Sequence, residues 1–134
     1  MDGSENSFRA LEHAIFLATK IQETQITALY IIEDPPSLII YSPKIMEKVH
    51  ADYERQYTKI LDRCKELGDK SGIKIHTVLI EGDPASKIIE YSEMEKFDII
   101  IMGSRGMGKF KALILGSVSN KVLHHAKCSV MIVR

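Results

Sequence analysis

Gly103, Gly106, Gly116 and Ser117 are the residues whose types and spacing point most directly to chemistry. They follow the apolar run Ile99 to Met102 and lead into a helical pattern. Glycines at the end of a buried strand let the backbone turn tightly and approach a ligand closely. Ser117 offers a hydroxyl at the start of a helix, whose first-turn N–H groups point at whatever lies ahead. Backbone donors, a hydroxyl and a helix N-terminus together make an anion site, and phosphate is the anion they suit best.

Three phosphate motifs compete for this stretch. The Walker pattern, G-x4-G-K followed by Ser or Thr, fits Gly103, Gly108 and Lys109, but Phe110 stands where the metal-binding hydroxyl belongs. The dinucleotide pattern needs a third glycine after Gly106 and Gly108, and Lys111 occupies that position. The third spacing, G-x2-G-x9-G followed by Ser or Thr, is filled by Gly103, Gly106, Gly116 and Ser117. Here the sequence resembles the nucleotide-binding members of the universal stress protein family. The resemblance extends from Met1-Asp-Gly-Ser-Glu-Asn-Ser to Ser129-Val-Met-Ile-Val-Arg134.

The resemblance implies a three-layer doubly wound parallel sheet of Rossmann-like type, strand order 3-2-1-4-5. It implies that Gly103, Gly106, Gly116, Ser117, Val118 and Ser119 cradle the ribose and phosphates, with Met102 and Arg105 beside them. It places Asp2 at the nucleoside and Ile31 against the adenine. The ligand so implied is ATP, with Mg or Mn held through its phosphates. The last strand often pairs with its twofold mate in this family, which implies a homodimer through Val130 to Val133. Two plainer readings stand beside these. A single glycine can serve only as a turn, and Asp2-Gly3-Ser4 before a helix is also ordinary turn and cap chemistry.

The elements that must position these residues follow from periodicity. Ser4 caps a helix on which Phe8, Leu11, Ile15 and Ala18 recur, expected to reach about Gln22. Ile26 to Ile32 is a strand apolar on both faces, as in a parallel sheet covered by helices. Leu38 to Tyr41 lies between prolines and reads as a loop. Pro43 opens a long helix to about Asp69, with Ile45, Val49, Tyr53, Ile60, Cys64 and Leu67 inward, ended by Gly68 or Gly72. Ile73 to Ile80 is the next strand. Asp83 caps and Pro84 opens a helix with Ala85, Ile88, Ile89 and Met94 buried. Phe97 to Met102 and Val130 to Val133 are the remaining strands, with Ser117 to Ala126 helical between them.

Strands alternating with helices demand right-handed crossovers and a parallel sheet. Such a sheet binds its ligand beyond the carboxyl ends of its strands, so Asp2 and the glycine loop can share one cleft. In the resembled family an apolar strand precedes the Asp-Gly-Ser loop and lies mid-sheet, whereas here Met1 stands directly before Asp2. The expectation is a chain clipped at an internal methionine, since the rest of the pattern is intact and Asp2 fits the end of the lost strand; the alternative is a sheet closed by another route, such as a partner's strand.

Composition bounds the rest. A chain of 134 residues fits one domain, and 18 basic against 18 acidic residues give a formal net charge of zero. No basic patch favours nucleic acid, and no apolar run has the length of a membrane span. Cys64 and Cys128 give neither a disulfide framework nor metal spacing, which points to the cytosol. His124 and His125 point about 100° apart on a helix, and the five histidines show no recurrent ligand spacing. No catalytic constellation stands out, so any ATP hydrolysis is expected to be slow. The resemblance to the universal stress protein family implies an ATP-dependent switch or sensor. Its rivals are a nucleotidyl or phosphoryl transferase using the same cleft and a dimeric scaffold with an empty one.

Overall fold

The computed structural model describes residues 1–33, 43–106 and 115–134. The elements run α1 (Glu5–Ala18), β1 (Ile26–Ile32), α2 (Pro43–Lys70), β2 (Ile75–Glu81), α3 (Pro84–Met94), β3 (Ile99–Gly103), α4 (Ser117–His125) and β4 (Ser129–Val133). Helices and parallel strands alternate, as the α/β class requires. The loop expected at Leu38 to Tyr41, Lys109 and Lys111, and the inward placement of Ile45 and Val49, all lie outside what is described.

The helix ends show local chemistry deciding boundaries. Ser4 caps α1: its backbone is extended (φ −67°, ψ 156°) and its Oγ accepts from the Ser7 amide at 3.1 Å. The helix stops at Ala18, short of Gln22. The Lys20 and Ile21 amides both bond back to Leu17 O, tightening the turn, and Ile21 is left exposed. Asp83 caps α3 in the same manner, accepting from the Ser86 amide at 3.0 Å, with Pro84 in the first turn.

Both candidate glycines serve the end of α2. Gly72 adopts a left-handed backbone (φ 68°), which a side chain would oppose. Gly68 lets the returning chain come close, because a Cβ there would lie 2.4 Å from Ile73 O. The Ile73 amide bonds to Gly68 O, so β2 begins at Ile75 rather than Ile73.

The strands pair in parallel. Ile26 lies opposite Ile75 through to Ile32 opposite Glu81, and Ile99 lies opposite Ser129 through to Gly103 opposite Val133. Among the described residues these pairs are two separate two-stranded sheets, β1–β2 and β3–β4. The pairings are those of a 3-2-1-4-5 sheet with its middle strand left out. α1 packs against β1, β3 and β4, so one helix covers strands of both pairs.

The main core lies under β1. Phe8, Leu11, Ile15 and Ala18 of α1 meet Ile26 and Ala28 of β1, Ile75 of β2 and Cys64 of α2. Burying a large apolar side chain contributes about 1.5–3 kcal/mol. Two residues expected inside are outside: Met94 is 68% and Tyr53 47% exposed. The α-amine of Met1 donates to Leu29 O. Burial lowers its pKa, against the opposing pull of the Asp2 carboxylate.

Candidate functional site

The candidate site is built on two short backbone segments held together at the carboxyl end of β3. Ser104 joins them. Its amide donates to Val133 O at 2.7 Å, which ties the start of the glycine loop to the end of β4. Its carbonyl accepts from the Gly116 amide at 2.8 Å and lies 3.0 Å from Ser119 Oγ. The two ends of the loop, Gly103 to Gly106 and Gly116 to Ser119, are thereby fixed against each other. Sequence reasoning missed Ser104. Nothing in its spacing separates it from any serine after a strand, although it is only 3% exposed.

Gly116, not Ser117, is the N-cap of α4, with φ −71° and ψ 163° and no side-chain cap bond. Ser117 is the first helical residue and is exposed, so its hydroxyl is not consumed by capping. Ser119 is 2% exposed, and its hydroxyl lies 3.0 Å from the carbonyls of both Ser104 and Gly116. Ser119 therefore holds the loop in shape. The first-turn amides of α4 face outward without helical acceptors. No acidic residue occupies that turn to compete with an anion.

Asp2 reaches this loop from the other end of the chain. A Cβ at Gly106 would lie 2.5 Å from Asp2 Oδ2, so the missing side chain is what lets the carboxylate in. The other oxygen, Oδ1, accepts from the Ser4 amide at 3.0 Å and the Ser4 hydroxyl at 2.7 Å. Burial pushes the Asp2 pKa up. The hydrogen bonds from Ser4 and Ser7 and the Met1 ammonium outweigh this and hold it below the ordinary carboxylate value. Asp2 is thus a fixed negative charge, suited to accept from hydroxyl or amino groups. Gly103 is needed for a second close approach, since a Cβ there would lie 2.8 Å from the backbone carbon of Asn6. Asn6 Nδ2 donates to Arg105 O at 3.4 Å, a further tie that the sequence did not reveal.

The remaining candidates fall around this centre. Met102 is half-buried on β3, Arg105 is exposed on the loop and Val118 is half-buried on α4. Ile31 is half-buried near the carboxyl end of β1, on the other strand pair. The five histidines are all exposed, and no group of three or more metal-ligating side chains assembles among the described residues. Two surface depressions lie elsewhere, one along a mixed-charge face of α2 and one beside Gly3, Phe8 and Arg63. Neither includes a residue of the glycine loop, and balanced charges line both. Among the described helices none is long and apolar enough to cross a membrane.

This geometry can hold a polyanion against backbone amides and a polar group against Asp2. Comparison with known proteins gives the family of the chain. The family model of the universal stress protein family matches residues 1–134. Universal stress protein MJ0531 of Methanocaldococcus jannaschii is 32% identical over 99% of this chain and 78% of its own length. Universal stress protein YxiE of Bacillus subtilis is 33% identical over 100% of this chain and 95% of its own. The solved structure of MJ0577, also from M. jannaschii, superposes with a TM-score of 0.85 at 26% identity, covering 99% of this chain and 90% of that one. With the whole-chain match, the two relatives and the shared fold all in agreement, the chain belongs to the universal stress protein family.

Proposed function

We propose that the chain binds ATP at the glycine loop and acts as a nucleotide-dependent switch or sensor in a stress response. The observation that carries the proposal is the convergence at one point of Asp2, Gly106, Gly116 and the open amides of α4. Phosphates suit the α4 amides and the Ser117 hydroxyl. Asp2, ionised and half-fixed by Ser4, suits a ribose hydroxyl or a base amino group at the nucleoside end. Mg or Mn would be carried on the phosphates. Solved structures of related folds support a nucleotide in general: one universal stress protein was determined in complex with cAMP, and one from Archaeoglobus fulgidus in complex with dAMP.

Hydrolysis, if it occurs, is slow in this reading. Phosphoryl transfer is accelerated by a residue that positions the nucleophile and by an arginine finger, and the sequence shows no pattern that supplies them. The two free thiols support a reducing cytosol. β4, paired only with β3 among the described residues, supports a homodimer formed along its free edge. Thermal melting with and without Mg-ATP tests the binding proposal. A ligand bound only by the folded state at a hundred times its Kd stabilises by about 2.7 kcal/mol, a readily measured shift. An unchanged melting temperature at millimolar Mg-ATP favours the scaffold with an empty cleft.

A further inference from the structure

Among the described residues two ion pairs tie α3 and its cap to α4 and the turn after it, one at each edge of the sheet. At the amino edge, Lys127 Nζ lies 3.0 Å from Glu93 Oε2. At the carboxyl edge, Lys121 Nζ lies 2.8 Å from Asp83 Oδ1 and 3.2 Å from Ser86 Oγ. The second pair borders the candidate site. Lys121 stands four residues after Ser117, so the two are neighbours on the exposed face of α4. A helical side chain leans toward the helix N-terminus, which carries this lysine toward the glycine loop and the open first-turn amides. On its other side, Asp83 follows Gly82, whose amide donates to Ile32 O at 2.9 Å. The ammonium therefore bridges the phosphate end of the site and a turn fixed to the end of β1, one residue beyond Ile31. It is also the first charged group along α4.

We propose that Lys121 reads the length of the phosphate chain: its ammonium binds the outer phosphates of a nucleotide and favours a triphosphate over a monophosphate, with Asp83 and Ser86 as positioning residues. This rests on the nucleotide reading above and names what sets its specificity. An ammonium has three N–H donors. Asp83 and Ser86 take two, which holds the group in place with one still to give. Asp83 is itself held, because its Oδ1 accepts from the Ser86 amide at 3.0 Å in capping α3. As a structural tie the pair does little, since both side chains are about half exposed and such surface pairs add little stability. As a ligand group it does more. The α4 amides and the Ser117 hydroxyl suffice for one phosphate. A triphosphate brings further negative charge, and a lysine ammonium meets it as a compact point charge through charge-assisted hydrogen bonds.

The test compares Mg-ATP with AMP by calorimetric titration of the wild type, Lys121→Met and Lys127→Met. Lys121→Met keeps the aliphatic stem and removes the charge. It should weaken Mg-ATP binding by about tenfold or more, the worth of a hydrogen bond to a charged group, and leave AMP binding nearly unchanged. Lys127→Met removes the corresponding tie at the opposite edge and should change neither. Asp83→Asn keeps a capping oxygen but gives up the charge that holds the lysine, and should lose part of the preference for ATP. In the wild type, Mg-ATP should shift the carboxyl carbon-13 resonance of Asp83 and AMP should not, a readout that needs no variant. A merely structural tie predicts losses shared by both nucleotides. Equal losses for ATP and AMP in Lys121→Met, or no loss for either, overturn the inference and leave the nucleotide reading standing. An Asp83 resonance indifferent to bound Mg-ATP overturns it as well. A wild type that binds neither nucleotide removes that reading, and the inference with it.

Discussion

Gly116→Val separates binding from folding. At Gly116 the backbone is ordinary for any residue (φ −71°), so no conformational strain accompanies a side chain. An added Cβ would meet Arg105 Cα at 3.5 Å and Ser104 O and Ser119 Oγ at 3.6 Å, all ordinary contact distances. The overpacking cost of about 1–3 kcal/mol seen in tight cores is therefore not expected. Loss of the glycine N-cap costs a few tenths to about 1 kcal/mol, against a typical stability of about 5–15 kcal/mol. The effect on ligand is larger. The valine methyls stand beside the first-turn amides of α4, where phosphate oxygens would lie. Displacing two charge-assisted hydrogen bonds, at about 1.5 kcal/mol or more each, weakens affinity by at least about a hundredfold. Equilibrium dialysis with labelled ATP and urea denaturation of the same samples read the two effects separately. Unchanged ATP affinity in a folded variant removes Gly116 from the site. A collapsed denaturation midpoint refutes the packing argument instead.

Three further expectations follow from the same geometry. Gly106→Ala drives a Cβ to 2.5 Å from Asp2 Oδ2, so the carboxylate must swing off Ser4. The cost is about 1–3 kcal/mol in thermal denaturation, and it should largely vanish in an Asp2→Ala background; additive effects would show that the two do not touch. Asp83 has its pKa lowered to about 2 by hydrogen bonds from Lys121 and Ser86. Its stabilising effect is therefore present above the unfolded value near 3.8 and lost as pH falls through about 2. Lys121→Ala should move the carbon-13 titration midpoint of Asp83 upward, and an unmoved midpoint would mean the pair is absent in solution. Val130→Lys with Ile132→Lys should give a monomer by light scattering, whereas a persistent dimer places the interface elsewhere.

Much of this arrangement was legible in the residues, for physical reasons that also explain the exceptions. Asp83-Pro84 and Ser4 announced helix starts because capping is local: one side chain meets an amide three residues on. The strands announced themselves as β-branched runs. Element ends were read less well because backbone hydrogen bonds fix them. The Leu17 carbonyl that ends α1 and the Gly68 carbonyl that delays β2 leave no mark on side-chain pattern. The glycine spacing was visible, but the division of labour within it was not. Gly116 rather than Ser117 caps α4, and Ser119 turns inward to Ser104, because the strand pair delivers Ser104 O to that point. Asp2 and Gly106 stand 104 positions apart, and only the parallel topology brings them together.

Calorimetric titration of the wild-type chain with Mg-ATP, repeated with AMP, tests the central claim most directly. Saturable binding at one nucleotide per chain, weakened by Gly116→Val, is the expected result. An absence of binding heat for either nucleotide at several temperatures, in protein that melts cooperatively, would contradict it.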